Sequence, residues 1–144
     1  MDGLFLSKDR IFRPGPLRGA YFLTFALFFT LTEVGRRVYR PYVYQNGIND
    51  FGLADVVGNL FGTVAIVFFL LGVYHATSTQ GFRIIALVTV GVTIYELLQS
   101  VLPRGVLDWK DVVSTPLAGA LALFLLLLIY RFVPDSLHGS QSLT

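Results

Sequence analysis

The chain has 144 residues, enough for one small domain, of which 54% are apolar and 14% charged, with a mean hydropathy of +0.67. That balance excludes an ordinary water-soluble domain, and a formal charge of +2 is too small to argue for nucleic acid as a partner. With no cysteine, disulfides, thiolate metal sites and thiol nucleophiles are excluded as well.

The predicted elements run in chain order as follows. Residues 1–16 form a basic tail, with Lys8, Arg10 and Arg13 ahead of Arg18, and residues 17–132 form the membrane domain. The first apolar stretch, 17–34, exceeds a typical signal-peptide core and is followed by Glu33, Arg36 and Arg37 instead of a small-residue cleavage site. It therefore reads as a retained span. An outer loop over 35–54 leads to a second span at 56–74, a short inner loop over 74–83 to a third at 84–102, and a second outer loop to a fourth at 112–132. Each stretch is close to the ~20 residues that a helix needs to cross a ~30 Å hydrocarbon core. Pro103 and Gly105 are expected to end the third helix. Residues 133–144 form a second tail, and the dense basic cluster near the N-terminus places both tails in the cytoplasm.

The ionisable residues recur by rule. Glu33 and Glu96, 63 positions apart, each close an apolar stretch, while Asp55 and Asp111, 56 apart, each open the next. The difference makes the first outer loop seven residues longer than the second. The expected fold is an all-α, four-helix membrane bundle built from two tandem two-helix repeats. Each repeat crosses an even number of times, so a pseudo-two-fold axis should lie along the membrane normal. Asp55, Asn59 and Thr63 share one face of the second span, and Asp111, Thr115 and Gly119 repeat it on the fourth. Gly58 and Gly62, then Ser114, Ala118 and Ala122, supply small residues at the same spacing, which lets helix backbones approach closely in lipid.

Six of the nine acids, Glu33, Asp50, Asp55, Glu96, Asp108 and Asp111, fall on the outer side, so contacts or chemistry are expected there. Asp55 and Asp111 each have a structural role open to them, since an aspartate at a helix start caps free N–H groups for about 0.5–2 kcal/mol. Glu96, paired with Gln99 one turn on, lies inside its span and must find a partner or keep its proton. Arg104 is its nearest cation, with Arg36, Arg37 or Arg40 reachable across the axis. Glu33, Arg36, Arg37 and Arg40 fall on one stripe if the first helix continues past the membrane edge. Tyr39, Tyr42, Tyr44 and Trp109 read as an interfacial aromatic belt. His75 and His138 lie on the inner side, away from the acids, so no metal site or cofactor is expected.

Glu96 and Gln99, then Arg104, Asp108, Asp111, Thr115 and Gly119, together with the upstream run Asp55-Val56-Val57-Gly58-Asn59 and Phe61-Gly62, resemble the signature of the VanZ-like family of small bacterial membrane proteins. Thr115 stands where that family usually carries asparagine. The resemblance covers roughly residues 33–119 and implies a bacterial plasma-membrane protein linked to the cell envelope, with no defined mechanism.

Two functions from different classes fit these residues. In one, Arg104 with Arg36 or Arg40 holds an anionic lipid headgroup or lipid-linked envelope precursor at the outer leaflet, with Glu96 and Asp111 orienting the arginines or accepting a proton, Asp55 and Asn59 completing the site, and Glu33, Gln99 and Asp108 as further candidate binding residues. In the other, the chain is a non-catalytic accessory subunit of a larger membrane protein complex and the charged cluster is structural. Four spans leave little room for a transport pathway, which places transport third.

Overall fold

The computed structural model describes residues 15–102 and 108–133. It is all-helical, with no strand among the described residues, and four of its helical rods are long and apolar enough to cross a membrane. The chain is accordingly a multi-pass membrane protein by length and composition.

Helix α1, Pro16–Val34, starts on a proline whose fixed φ suits the first helical turn. It does not stop at the predicted membrane edge. One turn of wider π-type helix, Gly35–Tyr39, carries it into α2, Arg40–Gln45, giving a continuous rod of 30 residues. Pro41 accounts for the wide turn: with no N–H to donate back to Arg37, and a ring that would collide with that carbonyl in a regular helix, it is tolerated where the winding loosens. The expected outer loop over 35–54 therefore shrinks to residues 46–52.

Helix α3, Leu53–Tyr74, begins after Gly52, whose φ of 85° is a left-handed conformation that suits glycine. Helix α4, Ser78–Leu98, starts six residues ahead of the expected position, because Thr77 and Gln80 form a reciprocal capping box that draws the segment up to Thr77 into a tight turn. The same helix stops at Leu98, ahead of Pro103 and Gly105, which lie outside the described residues. Helix α5, Trp109–Phe132, is capped by Asp108, whose carboxylate accepts from the Lys110 backbone N–H at 2.9 Å.

Helices α3 and α5 form the centre, with Val64, Val67, Phe68 and Leu71 meeting Ala118, Ala122 and Leu126 in a fully buried core. Helix α1 lies against α3 and helix α4 against α5, and α1 does not touch α4. Outward-facing Leu23, Leu87, Leu117 and Phe124 stay exposed on all sides of the bundle, as a lipid-facing surface requires. The hydroxyls of Thr24, Thr30, Thr32 and Thr93 bond back to carbonyls four residues earlier, so these polar groups are satisfied without water.

The end of the bundle where α1 begins and α5 finishes is tied by side chains as well. The buried Tyr21 hydroxyl lies 3.2 Å from the Ala76 carbonyl and 2.9 Å from the Tyr130 hydroxyl, joining α1, the turn after α3, and α5. Arg18 Nε donates to the Gly72 carbonyl at 3.2 Å, and its guanidinium sits 5.4 Å from the Phe22 ring centroid.

Candidate functional site

The end of the bundle where α2 meets α3 and α4 leads to α5 gathers most of the predicted polar residues, but in an arrangement that spacing alone did not give. Asp55 is the third residue of α3 and does not cap it. Its carboxylate instead receives Lys110 Nζ from α5 at 2.6 Å, the Tyr44 hydroxyl from α2, and Arg40 at 3.8 Å. One carboxylate thus fastens three helices together. Capping of α3 falls to Asp50, which accepts from the Gly52 N–H at 3.0 Å, the Ala54 N–H at 2.6 Å and the Tyr39 hydroxyl at 3.1 Å. Burial pushes the Asp50 carboxyl up, but these bonds outweigh it and hold the group below the ordinary aspartate value.

Asn59, one turn deeper on α3, reaches across to α5. Its amide donates to the Asp111 carbonyl at 2.9 Å and to the Ser114 and Thr115 hydroxyls at 3.0 Å each. Both hydroxyls also bond to the Asp111 carbonyl, so a closed polar knot sits between the two central helices. The Asp111 side chain feels the charges of Asp108, Arg40 and Asp55. Glu96 is buried at the end of α4, accepts from Gln99 Nε2 at 2.5 Å, and lies within electrostatic reach of Asp111 and Asp108. Glu96 enters none of the ion pairs among the described residues.

The structure therefore brings Arg40, Asp55, Asn59, Glu96, Gln99, Asp108 and Asp111 to one end of the bundle, with Asp108 serving as a helix cap. It separates Glu33 and Arg36 from them. Glu33 pairs with Arg37 at 2.6 Å and Arg36 at 3.9 Å along α1, while Arg40 leaves that stripe for Asp55. The wide turn between them is the reason: an extra residue in one turn rotates everything beyond it by ~100° about the helix axis. Arg104 lies outside the described residues.

Sequence reasoning did not single out Lys110 and Tyr44 for this cluster. Spacing alone puts Tyr44 in an aromatic belt and gives Lys110 no role. The position of Lys110 beside Asp111, at the start of a helix that must pack on α3, was the available sign. Among the described residues no group of three or more histidine or acidic side chains is placed to hold a metal ion.

What remains is a mixed-charge patch. The Arg40 and Lys110 side chains are half exposed around a mostly covered Asp55, and a buried carboxyl, Glu96, stands nearby with no ion-pair partner among the described residues. Such a patch can present cationic donors to an anion and a carboxyl to a hydroxyl or amine. Compared with known protein families, curated proteins and solved structures, the chain matches none of them.

Proposed function

We propose that this is a VanZ-like protein of a bacterial plasma membrane, with both termini cytoplasmic, whose outer-end cluster binds, or acts on, an anionic lipid headgroup or lipid-linked envelope precursor. The observation that carries the reading is the junction of Asp55 with Lys110, Arg40 and Tyr44 beside the buried Glu96–Gln99 pair. Cations held half exposed at the edge of the bilayer suit phosphate, and Glu96 is placed to accept or share a proton.

A tandem two-helix repeat with a pseudo-two-fold axis accompanies this reading. Three features support it. Asp55 and Asp111 are each the third residue of their helix. Their companions one turn on, Asn59 and Thr115, meet at 3.0 Å, as equivalent residues beside an axis do. Helices α3 and α5 are central, with α1 and α4 flanking them.

The test is retention of lipid during gentle extraction of the tagged full-length chain. Arg40→Gln and Glu96→Gln should each lose a co-purifying anionic lipid while accumulating normally in the membrane. Unchanged lipid content in both variants removes the proposal.

The accessory-subunit reading rests on one observation. Phe51, in the loop between α2 and α3, is 95% exposed and held at a φ of 58°, a conformation that a bulky residue rarely adopts. If a partner protein docks there, Phe51→Ser dissociates a complex that Glu96→Gln leaves intact, which co-purification with quantitative mass spectrometry reads directly.

A further inference from the structure

A second feature lies on the lipid-facing side of α1, apart from the end cluster. Phe29, Glu33, Val34, Arg37 and Val38 line an open groove of about 430 Å³ along the last turns of α1 and the wide turn. All five lie along one face of the same rod, so the groove is shallow and open to lipid, with Glu33 and Arg37 set between Phe29 and Val34 on one side and Val38 on the other. Arg36 stands beside it, its aliphatic stem lying over Gly58, where an added Cβ would approach Arg36 Cγ to 3.3 Å.

Charge and depth identify what fits. Two guanidinium groups face one carboxylate, since Arg36 and Arg37 both pair with Glu33, so one positive charge is left over. The Arg36 and Arg37 side chains are 65% and 80% exposed, and one carboxylate satisfies only part of the ten N–H donors that two guanidiniums carry. Arg18 at the inner end and Arg37 here are 19 residues apart, ~28 Å along a helix, which matches the hydrocarbon thickness of a bilayer. Arg37 therefore falls at headgroup level, with Phe29 and Val34 at the depth of the upper acyl chain.

We infer that this groove seats an anionic phospholipid, its phosphate on Arg36 and Arg37 and an acyl chain along Phe29 and Val34. Glu33 sets the spread of the two arginines and sharpens selection, because a zwitterionic headgroup gains less from the single surplus charge. The lipid lies sideways against α1 and does not enter the cluster around Asp55. The seat is thus a different site from the one proposed for function and stands or falls separately.

The test uses the full chain in vesicles, with Phe29→Trp as a reporter and Trp109→Phe to silence the native tryptophan. Quenching by brominated phosphatidylglycerol is compared with quenching by brominated phosphatidylcholine. The anionic lipid should be preferred about five-fold, the effect of one basic residue that is not already neutralised. The preference should fall to unity in Arg36→Gln/Arg37→Gln and return in Arg36→Lys/Arg37→Lys. Equal quenching by both lipids in the parent overturns the inference. So does absence of quenching by either lipid, which means that protein, such as a second copy of the chain, covers the face. A preference that survives Arg36→Gln/Arg37→Gln but disappears in Arg40→Gln overturns this seat and leaves the end cluster as the lipid site.

Discussion

The two helical hairpins of this bundle, α1 with α3 and α4 with α5, differ in how their interfaces are filled. Between α1 and α3 the interface is aromatic: Phe25 meets Phe69 with ring centroids 5.3 Å apart, Phe28 meets Phe61 at 5.6 Å, and Tyr21 meets Phe68 at 6.2 Å. Between α4 and α5 the helices touch through small residues, with Thr89 against the bare Cα of Gly119, and an open groove of about 310 Å³ runs beside Pro116, Gly119 and Leu123. The charges differ in the same sense. In the first hairpin Glu33 and Asp55 form ion pairs with Arg37 and Arg40, whereas Lys110 of the second crosses over to Asp55, and among the described residues Glu96 and Asp111 form none, Glu96 accepting from Gln99 and Asp111 lying beside Asn59 within reach of the Arg40 charge. A filled interface stabilises by packing alone, so the first hairpin is the scaffold. The second is joined to it by the Asn59 knot and the Lys110 bridge.

The sharpest way to break that contrast is to truncate one phenylalanine on each side, the fully buried Phe68 and the half-exposed Phe82. Phe68→Ala should cost about 3–5 kcal/mol, as a large buried ring leaves a cavity, whereas Phe82→Ala beside the α4–α5 groove should cost less than about 0.5 kcal/mol. Reversible unfolding in mixed micelles measures both, and similar costs would remove the distinction. Next in size is overpacking. Gly119→Ala drives a methyl into Thr89, and Gly35→Ala drives one into Val57, each costing about 1–3 kcal/mol. The Gly119 variant should loosen α4 selectively, seen as faster hydrogen exchange in α4 than in α1.

Asn59→Ala removes an amide whose two N–H groups are shared among three acceptors on α5 and should cost about 1 kcal/mol, within the usual range for polar contacts between membrane helices. Asp55→Asn should cost no more than about 1 kcal/mol, because its cationic partners are half exposed, and the loss should shrink as salt is raised. The smallest effect belongs to Asp50. Its folded carboxyl lies below the ordinary value, so its contribution is present above the unfolded pKa of about 4 and is lost as pH falls through the lower folded value. The gap in melting temperature between the parent and Asp50→Asn should therefore close on acidification, and a gap independent of pH contradicts the role given to the carboxylate.

Much of this was legible in the sequence. Four apolar stretches, the Asp55–Asn59 and Asp111–Thr115 faces, and the burial of Glu96 all follow from length and periodicity, which the bilayer enforces strictly. The errors lie where periodicity breaks. Arg40 was placed on the Glu33 stripe because regular winding was assumed, and only Pro41 hinted otherwise. Residues 35–54 read as loop in the sequence, but the chain stays helical through Gln45, since a short polar segment with Tyr42 and Tyr44 carries no length signal of its own. Asp50 and Asp108, not Asp55 and Asp111, meet the free N–H groups, a shift of a few residues that element boundaries read from sequence do not resolve. Partners distant along the chain, such as Lys110 for Asp55, depend on the packing of α5 against α3 and have no local signature.

The 30-residue rod formed by α1, the wide turn and α2 is ~45 Å long, against the ~30 Å of a hydrocarbon core. Its outer third behaves as a lever whose fulcrum is the loosely wound turn before Pro41. A bend of ten degrees there moves the tip of a ~15 Å arm by roughly 2–3 Å, about the length of one hydrogen bond. The grip of Arg40 and Tyr44 on Asp55 therefore does more than join helices, because it also fixes the angle at which this arm leaves the bundle.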